Sequence, residues 1–204
     1  MELMIDRAIA ELREGRPVAL HGRAPGSADL VARAESVDAE MINFMVRNAR
    51  GLVRLALSGD RWDELRIRAI PTTPGARLRG VGTTIEARRG VTTGISAPDR
   101  AQTIAAAIDP ACGADDLVRP GHIVPVRAAD GGVLARPGQT EAALELACLA
   151  GGTAAVLCHV LDERGDVADR AELLRFCRRH ELELVSASDV VEASYAALPA
   201  VAAG

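Results

Sequence analysis

Apolar residues recur at helical spacing at Ile5, Ile9 and Leu12 and stop at Gly15, which predicts an opening helix over 5–14. The apolar run 17–21 reads as a short strand ending on His21, and 22–28 (GRAPGSA) reads as a loop by composition. Residues 29–36 return to apolar character, and 38–51 has helical spacing with Asp38 as N-cap. A buried strand at 51–56 and a helix at 60–65 follow. Residues 70–82 carry two prolines and three glycines and read as a mobile loop. A strand at 83–86 leads through the hydroxyl-rich 91–100 (VTTGISAPDR) into a helix at 99–108, capped by Ser96 or Asp99. The pattern then predicts a helix at 140–150, a strand at 154–161, a helix at 170–180, a strand at 183–186 and a helix at 188–197. Strands alternate with helices without repeats or linkers, so one α/β domain is expected over 1–197, with a short flexible tail at 198–204.

The least ordinary stretch is 119–141, RPGHIVPVRAADGGVLARPGQTE. It holds two Pro-Gly pairs, Arg119-Pro120-Gly121-His122 and Arg136-Pro137-Gly138-Gln139, around an apolar run and an Ala-Asp-Gly-Gly hairpin signal. Proline fixes φ and glycine admits φ > 0, so both pairs read as rigid turns that present polar groups. Thr140 and Glu141 then open an apolar helix whose first N–H groups are free. Arg136, those N–H groups and the Thr140 hydroxyl suit a phosphate or carboxylate.

Composition narrows the function. The apolar fraction is 49% with only 2% aromatic, so Ala, Val and Leu must fill the interior, which suits helices packed on a sheet. A net charge of −4 with interspersed signs gives no nucleic-acid footprint. No window resembles a signal peptide or membrane span, so a cytoplasmic protein is expected. Lys and Arg together number 24 and every one is arginine, which excludes lysine Schiff-base chemistry and a P-loop. Cys112, Cys148, Cys158 and Cys177 show no metal-ligand spacing and read as free thiols.

Four histidines and one hydroxyl cluster are the candidates for chemistry. His122 follows Pro-Gly between arginines. His159 and His21 end predicted strands, where α/β proteins place their sites; each serves equally as a hydrogen-bonded structural group. His180 closes a helix behind Arg178 and Arg179 and reads as dipole compensation. Thr92, Thr93 and Ser96 read either as caps or as a hydrogen-bonding wall for a polyol or phosphate.

Taken together, GVTTGISAPDR (90–100), RPGHIVPVRAADGGVLARPGQTEA (119–142) and AAVLCHVLDERGDVA (154–168) resemble the 3,4-dihydroxy-2-butanone 4-phosphate synthase family of riboflavin biosynthesis. The resemblance implies a three-layer α/β/α sandwich and a homodimer with active sites near the subunit interface. It implies magnesium-dependent conversion of ribulose 5-phosphate to dihydroxybutanone phosphate and formate. His122, Arg136, Gly138, Thr140, Thr92, Thr93, Asp99 and Arg100 match the family pattern, with Arg136 and Thr140 as its phosphate grip. Other positions depart from it. Pro25 stands at the metal-binding Glu, and of that acidic loop only the last acid survives, as Asp29. Gln139 replaces the second metal ligand, a His; His159 replaces a proton-transferring Glu; Arg54 replaces a Cys.

Magnesium needs hard oxygen ligands in near-octahedral array, which proline and a neutral amide do not supply. The sequence therefore predicts a diverged, metal-independent enzyme with no cofactor. His159 and His122 would transfer protons, while Arg136, Gly138, Gln139, Thr140, Thr92, Thr93, Asp29, Arg54 and His21 would hold a small anionic or polyol substrate. The alternatives are a non-catalytic sugar-phosphate or partner binder, and an authentic synthase.

Overall fold

A computed structural model describes residues 4–22, 28–74 and 80–197, and all that follows concerns these. Pro25, most of the expected loop at 22–28, part of the loop at 70–82 and the tail at 198–204 lie outside them.

Seven strands form one mixed sheet: β1 (Val18–His21), β2 (Ala28–Arg33), β3 (Arg50–Leu57), β4 (Ile85–Ala87), β5 (Leu117–Arg127), β6 (Ala155–Val160) and β7 (Leu184–Ser186). Their order is β4-β5-β3-β6-β2-β1-β7. β3 runs parallel to β5, and β1 parallel to β7. The pairs β1–β2, β2–β6, β3–β6 and β4–β5 are antiparallel.

Eight α-helices accompany the sheet among the described residues: α1 (Met4–Arg13), α2 (Ala39–Phe44), α3 (Gly59–Glu64), α4 (Ala97–Ile108), α5 (Gly132–Ala135), α6 (Gln139–Leu149), α7 (Arg170–His180) and α8 (Ala187–Ala197). The expected caps are made. Asp38 accepts from the Met41 N–H, and Ser96, not Asp99, caps α4 by accepting from Asp99. Asp169 and Glu172 form a reciprocal capping box on α7.

Two apolar cores flank the sheet. On one face, Ile42 and Met45, Ile104 of α4, and Leu173 and Phe176 of α7 pack on Leu30, Leu55 and Val156. On the other, Leu12 of α1, Ala143 and Leu146 of α6 and Val190 of α8 pack on Leu20, Val31 and Leu157. The result is a three-layer α/β/α sandwich. With so few aromatics, contact comes from small residues: α6 buries Ala142, Ala143 and Ala147 at 0% exposure, so it lies close against the strands.

The sequence reading of 119–141 is corrected in two places. Arg119-Pro120-Gly121-His122 is no turn but the middle of the eleven-residue β5, with a cis Arg119–Pro120 bond. Proline is tolerated because the β4 ladder shifts register between Ile85 and Glu86, and pairing to β3 begins only at Val124. Gly121 is needed for close approach, since a Cβ there would lie 2.2 Å from the Ile85 backbone. The expected hairpin is also absent. β5 is parallel to its neighbour β3, so the chain leaves the sheet and Ala-Asp-Gly-Gly turns into the short helix α5.

Candidate functional site

Strand alternation brings three of the expected residues onto one face. Along β2, Ala28, Leu30 and Ala32 enter the first core and Val31 the second, so Asp29 shares the face of Val31. The same count puts Arg54 with Ala56 on β3, and His159 with Leu157 on β6. Asp29 and His159 are direct cross-strand partners. Gln139, the first residue of α6, closes over them from the helix layer.

The four side chains form a cluster centred on Asp29, which is 0% exposed. Arg54 Nη2 makes an ion pair with Asp29 Oδ1. His159 Nδ1 lies 2.9 Å from the same oxygen. Gln139 Nε2 donates to Asp29 Oδ2 at 2.9 Å. Burial by itself would raise the Asp29 carboxyl, but the His159 hydrogen bond, the Arg54 charge and the Gln139 hydrogen bond outweigh it and hold it below the usual carboxylate range. An ionised Asp29 fixes the proton of a neutral His159 on Nδ1. That leaves Nε2 as the basic atom, on a ring whose side chain is 29% exposed. Arg54 Nη2, 3.4 Å from Nδ1, is then a neighbour of that N–H rather than its partner. Two polar atoms here are buried without a partner, Arg54 Nε and Gln139 Oε1.

A second cluster lies on β4 and β5. His122 Nδ1 meets Glu86 Oε2, with side-chain exposures of 40% and 15%. Gly94 presses on this glutamate; a Cβ there would sit 1.6 Å from Glu86 Oε2. The Gly94 N–H and the Thr92 hydroxyl both donate to Asp99 Oδ2, at 2.9 and 2.8 Å. Thr92 foremost, with Gly94 and Ser96, thus outweighs burial and lowers the Asp99 pKa. Thr92 therefore braces its loop, while Thr93 is exposed beside it.

The two clusters share one region of the sheet. Arg54 pairs with Val124, which puts His122 two residues away on the strand beside β3, while His159 ends β6 on the other side of β3. The same alternation aligns His122 with the face of Val126, and so with that of Arg54 and His159. Gly51 admits this close packing, since a Cβ on it would lie 2.3 Å from the His159 carbonyl oxygen.

The expected anion grip is partly engaged. Arg136 Nε donates to Glu141 Oε1 at 2.9 Å and Nη2 also reaches it, while the Ala129 N–H donates to the same oxygen at 2.9 Å. Glu141 is 1% exposed and Arg136 is 40% exposed, so the acid anchors one edge of the guanidinium. Gly138 is the N-cap of α6 without a side-chain cap, which leaves N–H groups at Gln139 and Thr140 for an anion. Sequence reasoning missed both acids, Glu86 and Glu141. The only signal for Glu141 was its place five residues after Arg136; for Glu86 it was an acid on a short strand before the hydroxyl-rich block.

Two histidines stand apart. His21 has the parity of Ala19, on the opposite face from Asp29, and borders a separate cavity with Gly22, Arg170, Ser186 and Asp189. The structure thus does not join His21 to the expected substrate residues. His180 packs against Phe44 and Phe176 with ring centroids 5.3 and 4.6 Å away. Burial and then Arg179 depress its pKa, and its two ring contacts make it a packing group.

Among the described residues the donor set does not fit a hard divalent cation. Among the described residues no three His, Cys, Asp or Glu side chains gather as a metal site. Both Asp29 oxygens are already engaged, and a guanidinium stands beside them.

Fold and site together define a three-layer α/β protein with an acid–histidine–arginine cluster facing a helix N-terminus. The profile of the 3,4-dihydroxy-2-butanone 4-phosphate synthase family matches residues 6–193, and the chain belongs to that family. It is 44% identical over 192 residues to the riboflavin biosynthesis protein RibBA of Salinispora arenicola, covering 92% of this chain and 46% of that one. It is 40% identical over 195 residues to the 3,4-dihydroxy-2-butanone 4-phosphate synthase of Cupriavidus pinatubonensis, covering 94% and 87%. The chain spans about half the length of most curated relatives it matches, for instance 53% of the synthase of Neisseria meningitidis serogroup A. Among solved structures, RibBX of A. baumannii superposes with a TM-score of 0.89 at 38% identity, over 95% of this chain and 58% of that one. A synthase in complex with two magnesium ions superposes with a TM-score of 0.88 at 31% identity, over 95% and 97%.

Proposed function

We propose that the protein is a lyase-type enzyme that enolises a small phosphorylated ketose of the ribulose 5-phosphate class, with His159 and His122 moving the protons and without a divalent metal. Family membership supports the reaction type and the substrate class. The observation that carries the metal-independent reading is the Asp29 cluster, in which the surviving acid is spent on Arg54, His159 and Gln139.

In this reading His159 Nε2 takes a proton from the carbon next to the substrate carbonyl, and Asp29 steadies the imidazolium that forms. The oxygen then carries the enediolate charge, and His122, backed by Glu86, gives it a proton in a following step. Arg136 Nη1 and the N–H groups of Gln139 and Thr140 hold the phosphate, whose charge the α6 N-terminus favours. Gly138 caps that end. The active unit is a homodimer; Leu52, two residues before Arg54 and 56% exposed, supports an apolar contact beside the pocket.

Proton exchange reads this chemistry whatever step follows it. Ribulose 5-phosphate incubated with the protein in deuterated buffer containing EDTA should lose its C1 proton signals in the NMR spectrum. His159→Asn should slow this about 10²–10⁴-fold while the fold survives. Exchange unaffected by His159→Asn would overturn the assignment.

A second reading is the synthase reaction itself, with formate as product and magnesium required. It is favoured by 40% identity over 195 residues, 94% of this chain, to a protein named for that reaction. Formate release abolished by EDTA would select it.

A further inference from the structure

We propose that Arg54 is a built-in cation: it takes the place of a divalent metal in this pocket and binds the oxygen-bearing end of an α-hydroxycarbonyl substrate directly. The proposal rests on the enolising function above and deepens it, by saying which group holds the charge that enolisation creates. Four observations carry it.

Arg54 is 6% exposed and sits in the middle of β3, where an arginine is costly unless its charge is used. Among the described residues its ion pair is with Asp29, its Nη2 lies 3.4 Å from His159 Nδ1, and its buried Nε has no acceptor. Gln139 Oε1 is a buried acceptor without a donor in the same cluster. These are complementary vacancies in hydrogen bonding. A substrate carbonyl or enediolate oxygen can accept from the guanidinium, and the neighbouring hydroxyl can donate to the amide oxygen.

The charges point the same way. Asp29, Arg54 and a neutral His159 sum to zero, and proton uptake by His159 makes the cluster positive just as negative charge grows on the substrate. A guanidinium fork suits a planar, delocalised oxyanion, since it offers parallel N–H donors rather than a point charge. A second cation placed beside it, with no free carboxylate oxygen to bind, is repelled.

The test uses phosphoglycolohydroxamate, a planar mimic of a phosphorylated enediolate, with the full chain and titration calorimetry in EDTA. The wild type should bind it in EDTA, and added Mg²⁺ should not tighten binding. Arg54→Cys should weaken binding about tenfold or more, the loss of one charge-assisted hydrogen bond, while Arg54→Lys should restore part of it. Affinity for inorganic phosphate should stay unchanged in the same variant, which separates the guanidinium from the phosphate grip. A measurement that needs no variant accompanies it: the EPR signal of free Mn²⁺ should not fall when wild-type protein is added. Binding that requires Mg²⁺, a Mn²⁺ signal quenched stoichiometrically, or hydroxamate affinity untouched by Arg54→Cys would each overturn the proposal. Hydroxamate binding that depends on Arg54, in a protein that shows no proton exchange, would sink the enolising function and leave this inference standing.

Discussion

Asp29→Asn is the perturbation that most fully exposes the architecture of the site. The side chain is 0% exposed and both its oxygens are engaged. Asparagine keeps the shape but removes the charge, leaving Arg54, with a side chain 7% exposed, as an uncompensated buried cation. Breaking one partner of a buried pair in this way costs about 3–5 kcal/mol. For a protein of this size each kcal/mol shifts the melting temperature by roughly 2–4 °C, so a fall of about 6–20 °C is expected by calorimetry, with a matching drop in the urea midpoint. Replacing both partners by apolar groups, Asp29→Leu with Arg54→Met, should recover most of that loss, because no charge is then left buried.

The same residue sets an acid limb. Because the folded-state pKa of Asp29 lies below its ordinary value, the unfolded chain takes up this proton at higher pH than the folded one. Its contribution is complete above the unfolded value, near pH ~4, and is lost as pH falls through the folded value. Asp29→Asn should flatten that part of the stability profile. A loss below about 1 kcal/mol, or an acid limb unchanged in the variant, would refute the reasoning.

Further outcomes follow from other parts of the site. Arg136→Ala leaves Glu141, 1% exposed, with the Ala129 N–H but no cation, so the variant should lose about 1–3 kcal/mol of stability as well as phosphate affinity; an unchanged urea midpoint would contradict the anchoring role. Burial pushes the Cys158 and Cys177 thiols up to about 11, so a thiol reagent at pH 7.5 should label exposed Cys148 and half-buried Cys112 first, the other pair reacting only on denaturation. Light scattering should report a homodimer at micromolar concentration, and Leu52→Asp should shift it towards monomer.

Much of this was legible from periodicity and punctuation. α7 falls where the apolar spacing puts it, and the Asp169–Glu172 capping box fixes its start. The placement of Asp29 and His159 on one face follows from period-two alternation once their strands are known to be neighbours. That neighbour relation is long-range, 130 residues apart in sequence, and no local pattern carries it. Arg119–His122 misled for a physical reason. Pro-Gly ordinarily marks a turn, but here a register shift and a glycine-sized gap let it lie inside β5. The hairpin failed likewise, since Ala-Asp-Gly-Gly describes a reversal of direction and not whether the next element is a strand. Glu86 and Glu141 escaped because an acid becomes a site residue only through what the fold sets opposite it. His21 ends β1 as read, but a strand end does not say which face its side chain takes, and period-two alternation turns it from Asp29.

The most direct test of a metal-free site is to measure solvent exchange into ribulose 5-phosphate twice on one wild-type sample, first in EDTA and then with excess Mg²⁺, following formate alongside. With Arg54 supplying the fixed charge, the two exchange rates should agree within about twofold, well under the tenfold that 1.4 kcal/mol of metal assistance would give. Exchange and formate that appear only after Mg²⁺ is added would show that the cation comes from solution and not from the chain.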